Sequence, residues 1–115
     1  MNKVIIEEWA IDILDIDHNN SINGAIYNSE TFEDGKLIYT SRIDNLFIEH
    51  NYLSEPTINV KTINKSTYIL GKISKIFKDY LEMIIDKNNL CKDTYNINTK
   101  LGIINVIKWY LDNNN

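Results

Sequence analysis

The spacing of apolar residues changes once along this chain, near Gly71, and that change limits the folds the chain can adopt. Before Gly71, apolar and polar residues tend to alternate, which is typical of strands that bury one face. After Gly71, apolar residues recur at helical spacing. The sequence therefore predicts an α+β fold, in which an antiparallel sheet of about five strands is followed by two C-terminal helices.

Short polar turns bound the predicted strands. Asp34-Gly35 supplies the positive backbone torsions that a tight turn needs. Pro56 stands where a central strand would not tolerate it, and this places a loop before the last hairpin. The predicted strands span residues 4–14, 22–27, 37–47, 57–63 and 67–70.

The first predicted helix begins after Ser74, a good N-cap residue, and ends at about Lys87. One apolar stripe follows its length. The stripe consists of Ile73, Ile76, Phe77, Tyr80, Leu81, Ile84 and Ile85.

The second predicted helix spans residues 99–111 and is apolar around almost its whole circumference. Such a helix must be buried on more than one side, and a small domain has few ways to do this internally. We therefore expect a homo-oligomer in which this helix forms the interface. The predicted interface residues are Ile103, Ile107, Trp109 and Tyr110.

The chain of 115 residues can bury one core, so a single domain over residues 1–115 is expected. Ile, Asn and Lys are abundant, whereas Ala, Arg and Pro are scarce. This bias follows the codons of an AT-rich genome. It indicates an AT-rich bacterium, or a phage or plasmid of one.

Charge and cysteine content exclude several classes of protein. A formal net charge of −4 argues against non-specific binding to nucleic acid, which needs a clustered basic face. Cys91 is the only cysteine, so neither an intrachain disulfide nor a cysteine-based zinc site is expected. No apolar run is long enough to span a membrane, and Glu7 and Glu8 interrupt any signal-peptide core. These features predict a protein of the bacterial host cytoplasm without a membrane partner.

One segment has the opening of a calcium-binding loop. Asp15, Asp17 and Asn19 match the first ligand positions of an EF-hand, but Asn20 replaces the required glycine and Ile26 the bidentate glutamate. A polar turn is the better interpretation. We expect no metal site, no cofactor, and no effect of calcium or zinc.

No catalytic motif is present in the sequence. The histidines, His18 and His50, fall in predicted loops without a nucleophile motif around them, and there is no glycine-rich phosphate loop. No catalytic residue is assigned. An acid–base or metal role for the histidines with nearby carboxylates stays open, so a small hydrolase or nuclease is kept as an alternative.

The most distinctive segment is residues 32–43, in which Asp34-Gly35 precedes Thr40-Ser41-Arg42. It is followed by Val60-Lys61-Thr62 and by Tyr68-Ile69-Leu70-Gly71. This pattern resembles that of a group of small uncharacterised bacterial and phage proteins, over roughly residues 22–80. The resemblance implies no particular activity.

The same segment places two hydroxyls and the only guanidinium of the chain on one strand, at Thr40, Ser41 and Arg42. Thr62 and Tyr68 lie on the following hairpin, within plausible cross-strand reach. These residue types predict a polar pocket for an anionic or nucleotide-like ligand. The alternative is structural. In it the hydroxyls satisfy strand edges, and Arg42 pairs with a carboxylate such as Asp44.

Three functional classes follow from these observations. The leading hypothesis is a small non-enzymatic binding protein of phage or mobile-element origin, which counteracts a host defence system by sequestering a nucleotide-like signal or by blocking a defence protein. The first alternative is a bacterial immunity protein that neutralises a toxin by direct contact. The second alternative is the small hydrolase or nuclease.

Overall fold

The computed structural model of the chain describes residues 3–12 and 20–113. It contains five strands followed by two helices, which confirms the predicted α+β class. The strands are β1 (Ile5–Asp12), β2 (Ser21–Tyr27), β3 (Lys36–Glu49), β4 (Thr57–Thr62) and β5 (Thr67–Leu70). The helices are α1 (Lys75–Lys87) and α2 (Lys100–Asn113).

The chain divides into two compact units, Met1–Ser74 and Lys75–Asn115. All five strands lie in the first unit and both helices in the second. The predicted extent of one domain over the whole chain stays a prediction. Residues 13 and 14, which were predicted to end the first strand, lie outside the described residues.

The five strands form a closed barrel in sequence order. Consecutive strands pair antiparallel, whereas β1 and β5 pair parallel, with Ile5 opposite Ile69 and Ile6 opposite Leu70. Strand direction alternates along such a meander, so the first and last of an odd number of strands run the same way. Closure of this meander therefore requires one parallel pair, which the sequence pattern did not indicate.

Strand β3 changes neighbour along its length. Residues 36–42 pair with β2, and the later residues 43–49 pair with β4. The register shifts between Ser21 and Asn23 on the β2 side, and between Ile43 and Asn45 on the β4 side. Such bulges bend a strand and increase its twist, which allows β3 to curve around the barrel.

Strand β1 also contains a bulge, at Glu8 and Trp9. Glu8 adopts the left-handed backbone conformation with φ of 50°, and Gly24 of β2 lies opposite the bulge. A Cβ atom on Gly24 would lie 2.6 Å from Ile6 Cγ2 and 2.7 Å from the Glu7 carbonyl oxygen. The close approach of the two backbones therefore requires glycine at this position.

Trp9 connects the first strand of the barrel, β1, to the residues that follow the last strand, β5. Its backbone N–H donates to the Lys72 carbonyl at 3.2 Å, and its own carbonyl accepts from the Ser74 N–H at 2.8 Å. The indole Nε1–H donates to the Gly71 carbonyl at 3.1 Å, and the side chain is fully buried. Trp9 therefore joins the first strand to the segment that follows the last one.

The barrel core is built from one face of each strand. It is composed almost wholly of aliphatic side chains, as expected for a small barrel whose interior is filled by its own residues. Its buried apolar members are Ile6, Trp9, Ile11, Ile22, Ile26, Leu46, Ile58, Val60 and Leu70.

Helix α1 begins directly after Ser74, as predicted, and its buried face is narrower than the predicted stripe. Phe77, Leu81, Ile84 and Ile85 are buried. Ile76, which was predicted to lie on the buried stripe, is 83% exposed, so that assignment was wrong. Its position is one residue, about 100°, away from Phe77 around the helix.

Helix α2 begins one residue after Thr99, which acts as its N-cap. The Thr99 hydroxyl accepts from the Gly102 N–H at 3.0 Å and donates to the Asn96 carbonyl at 2.9 Å. A Cβ atom on Gly102 would overlap the Asn96 backbone, so glycine is required for this loop to lie against the first turn. The cap and the glycine together fix where the helix starts.

Candidate functional site

Thr40 is one of the five residues of the predicted ligand pocket, and the structure places it at the bulge between β2 and β3. Its side chain is buried, and its Oγ1 accepts from the Ile22 N–H at 3.0 Å. The same hydroxyl donates to the Ser41 carbonyl at 2.7 Å. The Thr40 hydroxyl therefore replaces a backbone group in the ladder where the register shifts.

Thr62 is likewise buried and hydrogen-bonded within the barrel. It is buried, it pairs with Ile43, and its backbone N–H donates to the Ser66 carbonyl at 2.9 Å. Its hydroxyl also points to that carbonyl, at 3.5 Å. Thr62 therefore closes the tight turn between β4 and β5.

The other predicted site residues lie at more accessible positions. The Ser41 hydroxyl accepts from Asn64 Nδ2 at 2.5 Å. The Arg42 side chain is exposed, and none of the ion pairs among the described residues involves its guanidinium. Tyr68 is half-buried and lies opposite Val60, so it is on the same face of the sheet as that core residue.

The structure thus brings Ser41, Arg42 and Thr62 near one another through the β3–β4 ladder, because Ile63 donates to the Arg42 carbonyl at 2.9 Å. The hydroxyls of Thr40, Ser41 and Thr62 are already hydrogen-bonded within the barrel. A small anion at this position would meet the Arg42 guanidinium as its accessible charged group. The prediction of a nucleotide-like ligand at this strand stays a prediction.

A cavity of about 230 Å³ lies in the helical unit, and none of the predicted ligand residues is part of its lining. Its lining includes Lys92 and Asp86, which form an ion pair with 3.4 Å between Nζ and Oδ1, and the buried residues Ile85 and Ile97. The mixed charges give it no strong preference for one sign of ligand. Its lining comprises Glu82, Ile85, Asp86, Lys92, Tyr95, Asn96, Ile97 and Asn98.

The predicted interface residues on α2 divide into two groups. Ile103 and Ile107 are buried within the single chain. Trp109 and Tyr110 are partly exposed, and the Tyr110 ring contacts Tyr80 edge to face, with centroids 6.3 Å apart. Burial raises the pKa of Tyr80, and its hydrogen bond with Tyr110 raises it further. The prediction of an oligomer through α2 stays a prediction.

Two features bear on metals and nucleophiles. Among the described residues, no group of three or more His, Cys, Asp or Glu side chains converges to hold a metal ion. Asp15, Asp17 and His18 of the calcium-like segment lie outside the described residues.

Cys91 is exposed. Hydrogen bonds from the backbone of Thr94 and Asp93, followed by one from the Thr94 side chain, lower the pKa of its thiol.

No helix in the described part of the chain is both long and apolar enough to cross a membrane.

Among the described residues, the most exposed large apolar side chains lie in the loop between β3 and β4, residues 50–56, which we call the tip loop. Tyr52 is 99% exposed and Leu53 is 91% exposed. From the sequence, this segment was predicted only to be a loop. A signal was nevertheless present, because two adjacent large apolar residues in a polar loop bring no benefit to the core.

The base of the tip loop is held by side-chain hydrogen bonds. Asn51 Nδ2 donates to the Glu55 carbonyl at 3.3 Å across the loop. Below it, Asn59 Nδ2 donates to Glu49 Oε2 at 2.6 Å, and Lys3 Nζ lies 3.3 Å from the same oxygen. Asn59 is itself buried. These hydrogen bonds therefore restrain the strand ends that carry the tip loop.

No family model, curated protein or solved structure matches this chain.

Proposed function

We propose that the protein is a small non-enzymatic binding protein of phage or mobile-element origin, which counteracts a host defence system by blocking a defence protein. The tip loop makes the contact. The observation that carries this proposal is the near-complete exposure of Tyr52 and Leu53. Adjacent exposed apolar residues cost solubility and are usually retained at contact surfaces.

The chemistry of the tip loop favours a protein partner. Tyrosine is over-represented among the residues that dominate protein–protein binding energy, because its ring buries a large area at a low entropic cost. The partner would offer an apolar pocket for Leu53 and a polar rim for the Tyr52 hydroxyl. The hydrogen bond from Asn51 to Glu55 restricts the loop before binding, which lowers the entropy lost on association.

The hydroxyls of the strand residues are already hydrogen-bonded within the barrel, and this favours blocking of a defence protein over sequestration of a nucleotide-like signal. Sequestration of a nucleotide-like signal needs several unoccupied polar groups around the ligand. Thr40 and Thr62 are buried and hydrogen-bonded within the barrel. Blocking of a partner protein requires none of these groups.

The test is phage plating on bacterial hosts that carry defined defence systems and express the protein. The wild type should restore plating on one of them, and the double variant Tyr52→Ser, Leu53→Ser should lose this effect while it stays folded. A matched control is Leu101→Ser, which changes another exposed apolar residue, on α2. If the tip-loop variant restored phage plating as fully as the wild type does, the proposed contact would be contradicted. Rescue from a co-expressed toxin, without any effect on plating, would establish the immunity alternative instead.

A further inference from the structure

One face of α1 and the loop between the two helices line the cavity of about 230 Å³. Ile85 and Asp86 follow Glu82 by three and four residues, so all three lie on the same face of the helix. The loop contributes residues 92 and 95–98. All of these residues belong to the helical unit, and none belongs to the tip loop. A role for this cavity is therefore independent of the proposed contact.

Hydrogen bonds hold the loop that forms one wall of the cavity. The Tyr95 N–H donates to the Cys91 carbonyl at 2.9 Å. The Asn98 N–H donates to Asn96 Oδ1 at 2.9 Å, and the Thr99 hydroxyl donates to the Asn96 carbonyl at the same distance. A wall that is ordered before binding loses little conformational entropy when a ligand arrives.

Several polar groups of the lining have hydrogen-bonding capacity left for a ligand. Among the described residues, no hydrogen bond or ion pair engages the Glu82 carboxylate or the Tyr95 hydroxyl. The Asn96 amide oxygen accepts from the Asn98 N–H, and the Asn98 amide oxygen accepts from Lys78 Nζ at 3.4 Å. The amino groups of both amides remain as donors.

Charges of both signs lie on the same lining. Lys92 Nζ is 3.4 Å from Asp86 Oδ1, and an ammonium group has three donors, so it can also donate to an oxygen atom of a ligand. This ion pair is neutral as a unit, and Glu82 adds one negative charge. The cavity can therefore hold a positive group beside Glu82 and a negative group beside Lys92.

The lining also sets the size and the apolar part of a ligand. Ile85 is 4% exposed and Ile97 is 9% exposed, so both offer buried apolar surface. One water molecule takes about 30 Å³ of liquid volume, so the cavity has room for about eight waters, or for about eight to ten non-hydrogen atoms. This is smaller than the pockets that hold drug-sized ligands.

We propose that the cavity binds a small zwitterion with an aliphatic side chain, of the chemical class of leucine. The α-ammonium group pairs with Glu82, and the carboxylate accepts from Lys92 and the Asn98 amide. The aliphatic side chain contacts Ile85 and Ile97. Because the charged groups of the site are accessible to solvent, we expect a Kd of about 1 mM. A ligand held this weakly is lost during purification.

Two-dimensional ¹H–¹⁵N NMR of the full-length protein tests this site, in a titration with L-leucine up to about 10 mM. The backbone amides of residues 92–98 should shift and approach saturation. Isocaproate lacks the ammonium group and isoamylamine lacks the carboxylate, so each should bind at least tenfold more weakly than leucine. If either bound as well as leucine, a zwitterion site would be excluded.

Glu82→Gln removes the charge that pairs with the ammonium group but keeps the shape of the side chain, so it should weaken leucine binding at least tenfold. Asp79→Asn is the matched control, because it neutralises another exposed carboxylate of α1 that is not part of the lining. It should leave leucine binding unchanged. Far-UV circular dichroism should show the wild-type spectrum for both variants. The absence of shifts with leucine, or equal binding by Glu82→Gln and the wild type, would overturn the proposal.

Discussion

The bulge at Thr40 and the tip loop show opposite relations between residue type and environment. Thr40 is a polar residue that is buried, and its hydroxyl completes the β2–β3 ladder. Tyr52 and Leu53 are large apolar residues that are almost completely exposed. On a conventional expectation the polar strand residue would bind a ligand and the apolar residues would fill the core. Here Thr40 instead completes the fold, and we propose that the tip loop makes the contact with a partner.

The reason for this reversal is the hydrogen-bonding demand of a small barrel. Each bulge removes one backbone hydrogen bond from the ladder, and the buried N–H or C=O that remains must find another partner. At the β2–β3 bulge the Ile22 N–H finds the Thr40 hydroxyl at 3.0 Å. Polar side chains on curved strands are therefore needed for the fold before they are available for a ligand.

The largest expected effect on stability comes from Trp9. Trp9→Ala removes the largest buried side chain of the barrel and the hydrogen bond to the Gly71 carbonyl. We expect the free energy of unfolding to fall by about 3–5 kcal/mol, as for other buried aromatic residues that are changed to alanine. Urea denaturation followed by far-UV circular dichroism measures this. A loss below about 1 kcal/mol would be at odds with a Trp9 that joins the two ends of the barrel.

Changes at Thr40 test whether its hydroxyl stabilises the fold. Thr40→Val keeps the shape but leaves the Ile22 N–H and the Ser41 carbonyl without this hydroxyl, at a cost of about 1–3 kcal/mol. Thr40→Ser retains the hydroxyl and should cost less. The same urea titrations compare the two variants. If wild type and Thr40→Val were equally stable, Thr40 would again be a candidate for binding a ligand.

The tip loop should contribute almost nothing to stability. Tyr52→Ser and Leu53→Ser remove exposed side chains, and surface substitutions of this kind usually change stability by less than about 0.5 kcal/mol. The measurement is the urea midpoint of each variant beside that of the wild type. A loss comparable to that of Thr40→Val would mean that the loop is part of the core and would remove the basis of the proposed contact.

The smallest effect concerns Cys91. Hydrogen bonds from the backbone of Thr94 and Asp93 and from the Thr94 hydroxyl lower the pKa of its thiol. These bonds favour the thiolate, so their contribution to stability is present at high pH and is lost as the pH falls through the lowered pKa. Alkylation by iodoacetamide should reach half its maximal rate at a lower pH in the folded protein than in urea. Thr94→Val should move that pH upward, and an identical profile for folded and unfolded chains would contradict this.

Local signals in the sequence located most elements closely. Strand β5 has its predicted bounds, and β4 ends one residue earlier than predicted. Helix α1 begins after Ser74, and α2 begins at Lys100 rather than Thr99 because Thr99 is its cap. Turn residues, proline and apolar spacing act over a few residues, and all of them can be recognised in one sequence.

The barrel closure and the roles of the site residues could not be predicted in the same way. Closure depends on contacts such as that between Trp9 and Gly71, which are 62 residues apart. The role of Thr40 depends on a register shift that alternation does not encode. The position of Ile76 shows the same limit, because an apolar residue at helical spacing can still face solvent.

A native mass spectrum of the purified wild-type protein distinguishes a protein that binds other chains from one that retains a bound small molecule. It reports the size of the oligomer and any retained ligand together. We predict a homo-oligomer of the 13.4 kDa chain with no additional mass. A species that carries a bound nucleotide-sized molecule, lost in Arg42→Ala, would contradict it.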